Sequence, residues 1–214
     1  MLKKIINSLI PPIFFWLHRK AFSNEGNPNI LFAGDDGLFK RVLKQANHYG
    51  EYGCGKTTKW VLNNTSSDVI AVDTSQQWVD EVVADNKANN ERLVIKHVDL
   101  GAVGNWGRPI DFSKRHCFGE YTDFMWQQDT KPNVVLVDGR FRVCCFLTSL
   151  KYADEGTCIL FDDYTIRPQY HVVEKYVERV EECGRQCLFV VPSAEKIDFD
   201  SLEKDINSFR HVMD

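Results

Sequence analysis

No apolar run in the 214 residues reaches the roughly 20 that a spanning helix needs, and the best stretch, Ile5 to Leu17, is interrupted by Asn7, Ser8, Pro11 and Pro12. A membrane span is therefore not expected. A basic excess is also missing: 26 Lys and Arg against 30 Asp and Glu leave a net charge of −4, too little positive charge to hold a nucleic-acid backbone. No nucleic-acid partner is expected. Heptads, short-period repeats and low-complexity tracts are absent, which excludes disorder, collagen and solenoids. None of the seven cysteines (Cys54, Cys117, Cys144, Cys145, Cys158, Cys183, Cys187) forms a Cys-x-x-Cys pair, an odd number cannot all bridge, and several sit inside apolar runs as buried thiols do. A reducing cytoplasm is the expected compartment.

At roughly 100 to 200 residues per domain, the length predicts one domain with a short appendage. The appendage is residues 1–30. Its first 22 residues, MLKKIINSLIPPIFFWLHRKAF, place Lys3 and Lys4 before the apolar stretch and His18, Arg19 and Lys20 after it. The segment HRKAFS lacks the small residues of a signal-peptidase site, so a secretory leader is not expected. Two readings stay open: a helical segment packed on the domain or on a second subunit of a homodimer, or an aromatic element resting peripherally on a membrane surface.

Residues 31–214 alternate between two periodicities. Short β-branched or apolar runs at Asp68 to Asp73, Leu93 to Val98, Asn133 to Asp138, Thr157 to Asp162 and Gln186 to Val191 predict strands. Helical spacing predicts helices at Gly37 to Asn47, Lys56 to Asn63, Gln76 to Asn86, Arg140 to Ala153 and Gln169 to Cys183, with a short helix and then a strand at Ser208 to Met213 closing the chain. Such alternation predicts a doubly wound, Rossmann-like α/β fold with a mostly parallel sheet. The long connection from Gly101 to Lys131, carrying Trp106, Tyr121, Phe124 and Trp126, is either a binding loop or a cover for the sheet edge.

The segment GEYGCGKT, Gly50 to Thr57, admits three readings. It matches the phosphate-loop pattern G-x-x-x-x-G-K-[ST], with Lys56 on the phosphates and Thr57 on magnesium, but no buried apolar run precedes it. As a dinucleotide fingerprint it fails, because Thr58 stands where Gly or Ala should allow close helix packing. The third pattern, Glu51-x-Gly53-x-Gly55, resembles the nucleotide loop of class I S-adenosylmethionine (SAM) methyltransferases. There glycines admit the cofactor to the backbone and a helix N-terminus faces its carboxylate. Asp73, 20 residues after Gly53 at a strand end, is placed for the ribose diol, and Asp99 for the adenine amino group. Cys54, Thr57 and Thr58 complete the cofactor set.

The loop EYGCGKTT, the stretch GAVGNWGRP (Gly101 to Pro109), the block VDGRFRVCC (Val137 to Cys145) and FDDY…R…Y (Phe161 to Tyr170) together resemble a bacterial family of SAM methyltransferase-fold proteins. The resemblance implies the class I fold with a seven-stranded sheet. Neighbouring parallel strands lie about 4.8 Å apart, so Asp138 would converge with Asp162 and Asp163 at adjacent strand ends. Three carboxylates so close need a cation or a proton between them, and oxygen ligation suits Mg²⁺ or another divalent ion. This is similar to metal-dependent O-methyltransferases, in which the metal grips an acceptor hydroxyl. Where the catechol enzymes among them carry a lysine base, this chain has Arg140 and Arg142. Arginine stays protonated, so Asp138 is the expected proton acceptor. Arg140 joins it in the catalytic pair, facing an anionic acceptor such as a uronate or phosphate. Arg142, Arg167, Tyr164 and Tyr170 are the other expected acceptor contacts. The alternative is that the arginines only neutralise the aspartates.

The expectation is thus a SAM-dependent O-methyltransferase acting on a small polar or saccharide acceptor, with a divalent metal as a further cofactor. A phosphate-loop NTPase or kinase, and a non-catalytic binding protein of the same fold, are the competing classes.

Overall fold

The computed structural model describes residues 31–32 and 35–214. The expectations for residues 1–22 and for the 1–30 appendage lie outside the described residues. Residues Phe32–Asp214 form one compact unit.

The strands are β1 (His48–Tyr52), β2 (Asp68–Asp73), β3 (Leu93–His97), β4 (Val134–Val137), β5 (Cys158–Phe161), β6 (Glu181–Cys183) and β7 (Gln186–Val190). They form one sheet in the order β3-β2-β1-β4-β5-β7-β6, parallel from β3 through β5 and antiparallel at β7 and β6. The order reverses between β1 and β4. That is the switch point where open α/β sheets bind ligands beyond their strand carboxyl ends.

The central strands VVLV and ILF are almost wholly buried, as expected of parallel strands covered on both faces. The middle strand β1 reads HYGEY and carries no aliphatic residue, yet Tyr49, Glu51 and Tyr52 are fully buried. Gly50 is required there, because a Cβ would lie 2.8 Å from Pro132 Cγ and 2.9 Å from Met125 Sδ. Position in the sheet overrides intrinsic strand propensity here.

The helices are α1 (Gly37–Val42), α2 (Lys56–Asn64), α3 (Gln76–Asp85), α4 (Phe118–Asp123), α5 (Arg142–Tyr152) and α6 (Phe199–Phe209). In α5 every residue from Arg142 to Leu150 is buried. Among the described residues no helix is long and apolar enough to cross a membrane.

Two segments depart from the sequence expectation. The helix expected over Gln169 to Cys183 is a 3-10 segment at Pro168–Lys175, followed by extended chain and β6. The residues of β6, Glu-Glu-Cys, have no strand signal of their own. They are recruited by the open edge of β7 through a tight turn in which Gly184 holds φ +59°. At the C-terminus no strand forms over Ser208 to Met213: Ser208 and Phe209 end α6, whose Leu202 and Ile206 are buried, and a turn with irregular chain follows.

Candidate functional site

The glycine loop leaves β1 at the switch point. Gly53 adopts φ +92° and donates to Val72 O (2.9 Å), which ties the loop to β2. A Cβ on Gly53 would lie 2.7 Å from Gly139 Cα, so the loops after β1 and β4 touch backbone to backbone. Glu51 is fully buried. It accepts from the hydroxyls of Thr57 and Thr58, the latter at 2.7 Å, and Thr58 Oγ1 in turn accepts from Gly55 N (2.9 Å). Burial pushes the Glu51 carboxyl up to about 8 against the pull of those two hydroxyls. Glu51, Thr57 and Thr58 therefore shape the loop from beneath, and none of the three presents its side chain to a ligand.

Asp73 closes β2. Its Oδ2 accepts from Cys54 N (2.9 Å) and its Oδ1 from Ser75 N (2.7 Å). The Cys54 N–H is thus engaged with Asp73. Each Asp73 oxygen keeps a lone pair for a further donor, and burial raises its carboxyl against the backbone N–H groups that lower it. A Cβ built on Gly55 meets nothing within 4 Å, so the loop borders open space beside this carboxylate. Asp73 and the face at Gly55 suit a ribose diol and a cofactor backbone.

Asp99 is placed differently from the expectation. It is solvent-exposed and accepts from Gly101 N (2.9 Å) and from Lys114 Nζ, which lower its carboxyl. It anchors the base of the loop after β3, with its side chain paired to Lys114 at the surface.

At the ends of β4 and β5, Asp138, Asp162 and Asp163 come together as the sequence predicts, but within a set of guanidinium groups. Arg142, with a side chain only 5% exposed, donates from Nε to Gly139 O (3.1 Å). Its Nη1 donates to Asp162 O (2.9 Å) and Asp163 Oδ2 (3.2 Å), and its Nη2 to Asp138 O (3.2 Å) and Asp138 Oδ1 (2.9 Å). All of its donor nitrogens are engaged, so it staples two strand ends and is not an acceptor contact. Asp163 further pairs with Arg167 Nη2 (2.8 Å) and Arg185 Nη1 (2.9 Å), and Asp162 with Arg185 Nη2 (3.4 Å). Burial and the neighbouring carboxylates push Asp162 up to about 7, and its Oδ1 is buried without a partner.

A divalent cation does not fit this donor set. Arg142, Arg167 and Arg185 already compensate the three carboxylates, and a cation among them would face like charge. Among the described residues no group of three or more His, Cys, Asp or Glu is arranged to hold a metal ion. Tyr164 and Tyr170 also differ from the expectation: both are fully buried. Tyr164 donates to Glu174 Oε1 (2.6 Å), while the Tyr170 ring stacks on Phe161 at 4.9 Å and its hydroxyl accepts from Arg167 (2.7 Å). Only that hydroxyl reaches the charged cluster.

Asp138 and Arg140 lie in the loop that follows β4, at the switch point. The Asp138 side chain is 31% exposed, and its Oδ2 accepts no hydrogen bond from the described residues. Burial raises its carboxyl, and the Arg142 guanidinium opposes the shift. Arg140 is half-buried; its backbone N–H donates to Tyr121 Oη (3.1 Å), its Nη1 to Asp214 O (2.6 Å), and its Nε has no partner. The Asp214 carboxylate accepts from Arg142 N (2.9 Å) at the first turn of α5.

Tyr121, Gly139, Arg185 and Asp214 are the site residues that sequence reasoning missed. Tyr121 and Trp126 lie in the long connection, but both are buried, while Trp106 and Phe112 are exposed. Arg185 sits in the β6–β7 turn, where no periodicity marks it. Gly139, inside the VDGRFR block, carried a signal that could have been read as a backbone contact.

The phosphate-loop alternative fails on geometry. Gly50, Glu51 and Tyr52 are strand residues paired with both β2 and β4, so three of the eight residues of the supposed loop are unavailable to cradle phosphate.

Among solved structures, a methyltransferase-like protein from Silicibacter pomeroyi shares 30% sequence identity with this chain at a TM-score of 0.72, covering 81% of this chain and 92% of that one. The chain belongs to this methyltransferase-like family. Two more distant structures share the class I methyltransferase fold. The O-methyltransferase TomG from Streptomyces achromogenes, solved with SAM, has 14% identity and a TM-score of 0.53, covering 82% of this chain and 86% of that one. A methyltransferase from Geobacter sulfurreducens has 14% identity and a TM-score of 0.52, covering 89% and 96%. No protein-family model matches the sequence, and no curated protein does. In this methyltransferase-like chain Asp73 ends the strand on one side of β1, and Asp138 with Arg140 follows the strand on the other.

Proposed function

We propose that this chain transfers a methyl group from SAM to an oxygen of a small polar acceptor that carries an anionic group, and does so without a metal. The observation that carries the reading is the partly exposed Asp138 carboxylate, with a free Oδ2, within the field of the Arg140 guanidinium at the switch point.

When bound, SAM supplies an electrophilic methyl group on a sulfonium centre. Asp73 would hold the ribose hydroxyls through its remaining lone pairs, and the open face at Gly55 would let the backbone approach the rest of the cofactor. Arg140 binds the anionic group of the acceptor and so orients its hydroxyl for in-line attack. Asp138 Oδ2 would take the hydroxyl proton as the acceptor oxygen bonds to the methyl carbon and the methyl–sulfur bond breaks to release S-adenosylhomocysteine; a carboxylate raised by burial is the better base. Support for the anionic acceptor comes from Asp214, whose carboxylate and carbonyl oxygen already occupy the N-terminus of α5 and the Arg140 guanidinium as an acceptor would. A uronate or phosphorylated saccharide meets these requirements.

The test is calorimetric titration with SAM, repeated on Asp73→Ala, followed by a labelled-methyl screen of carboxylated and phosphorylated acceptors with and without EDTA. Micromolar SAM binding lost in Asp73→Ala, and turnover insensitive to EDTA, are the expected results. SAM binding with turnover only in added metal would overturn the metal-free mechanism. Absence of SAM binding would favour a non-catalytic relative.

A further inference from the structure

The last paired row of the sheet sets Val137 beside Phe161 and Phe161 beside Cys187, so one step further along the strands stand Asp138, Asp162 and Gln186. Val137, Phe161 and Cys187 pack into the core with α5, and strand alternation puts the next three residues on the opposite face. They make a polar row across the ends of β4, β5 and β7. Asp138 is close enough for its charge to add to burial in raising the Asp162 carboxyl.

Two members of this row are buried and incomplete. Gln186 is 1% exposed and begins the otherwise apolar strand QCLFV, yet neither its Oε1 nor its Nε2 has a hydrogen-bond partner among the described residues. Asp162 is 3% exposed, and its Oδ1 has no partner among them either. A primary amide can donate two hydrogen bonds and accept two, and leaving them unmade in the interior is costly. Buried polar atoms of this kind call for a ligand or an ordered water.

The row is flanked by accessible side chains. Asp138 is partly exposed at one end, and Arg185 in the turn between β6 and β7 is about as exposed at the other. Arg185 holds Asp163 Oδ1 at 2.9 Å but reaches Asp162 Oδ2 only at 3.4 Å, and its Nε is unpartnered among the described residues. An arginine held this loosely on a turn can swing toward solvent and uncover Asp162.

We propose that Asp162 and Gln186 form a hydroxyl-binding subsite next to Asp138, which makes the acceptor a vicinal polyol such as a sugar ring; the inference rests on Arg140 binding the acceptor's anionic group. Asp138 faces the hydroxyl that is methylated. The neighbouring hydroxyl donates to Asp162 Oδ1, while its oxygen accepts from Gln186 Nε2. An acceptor without that second hydroxyl leaves the carboxylate oxygen and the amide unpaired, so the row selects against it.

Ligand-observed NMR titration of the full chain with methyl glucuronide and with tetrahydropyran-2-carboxylate, a like ring without hydroxyls, tests the subsite on wild type, Gln186→Met, Asp162→Asn and Arg140→Ala. Wild type should bind the glucuronide about tenfold or more tightly than the bare ring. Gln186→Met should lose most of that preference while binding the bare ring as wild type does, Asp162→Asn should fall between, and Arg140→Ala should weaken both probes. The melting temperature of Gln186→Met should not fall, because an unpaired buried amide gives way to an apolar side chain of similar volume. Equal affinity of wild type for the two probes, with both weakened in Arg140→Ala, would overturn the subsite and leave the anionic acceptor standing. A lower melting temperature in Gln186→Met, with the glucuronide bound as in wild type, would assign the amide to an ordered water and overturn the subsite as well. Binding of neither probe by wild type would overturn both readings.

Discussion

Gly53 and Gly139 meet backbone to backbone, with no room for a side chain on either, and so lock the loop after β1 to the loop after β4. A Cβ on Gly139 would also fall 2.0 Å from Tyr121 Oη, the hydroxyl that accepts from Arg140 N. Gly139→Ala should destabilise the protein by about 2 kcal/mol or more through overpacking. Tyr121→Phe added to it should recover only part of the loss, because the clash with Gly53 N at 2.8 Å remains. Urea denaturation of the two variants measures both.

Arg142 joins the ends of β4 and β5 through Asp138 and Asp163. Arg142→Ala leaves Asp163 short of one of its partners and both strand ends unstapled, so a loss of about 3–5 kcal/mol is expected, as for other broken buried pairs. Arg142→Lys keeps the charge without the planar fork and should fall between wild type and Arg142→Ala. Chemical denaturation that found Arg142→Ala near wild type would show the network to be dispensable.

Glu51 gives a pH signature of definite sign. Its carboxyl ionises near 4.5 when exposed and near 8 in the fold, so the folded state binds the extra proton between those values. Stability from this group is full below about pH 4.5 and is lost as pH rises through about 8. Glu51→Gln, which cannot ionise, should lack that decline. Melting temperatures from pH 5 to 9 should show wild type falling relative to Glu51→Gln.

Arg140 and Asp214 separate acceptor binding from cofactor binding. Arg140→Ala should raise KM for an anionic acceptor by about tenfold or more while the dissociation constant for SAM stays unchanged. Asp214→Asn, which removes the competing charge, should lower that KM. A parallel change in SAM affinity in either variant would contradict the assignment.

Short apolar runs such as VVLV and CILF, and the alternation of strand and helix, were readable because sheet burial demands those residues in any sequence. The glycine loop and Asp73 were readable for a similar reason, since a positive φ and a strand-end carboxylate are local requirements. The role of Glu51 was not. A carboxylate in that motif reads as a ligand contact, and only its burial under Thr57 and Thr58 turns it into a loop support. Asp99 gave the same local signal as Asp73, yet Lys114 draws it out to solvent.

The sequence by itself determined the fold class and the convergence of Asp138, Asp162 and Asp163, whereas β1, with no aliphatic residue, is a strand only through its place between β2 and β4. The fold class and the convergence follow from hydrophobic periodicity and from the order in which parallel strands are wound. Tertiary structure alone decided what the carboxylates face. Arg185 arrives from a hairpin turn 23 residues after Asp162, and Asp214 lies 74 residues after Arg140. Long-range pairing of charges leaves no local trace in the chain, so whether three aspartates meet a cation or a set of guanidinium groups was settled only when distant segments packed together.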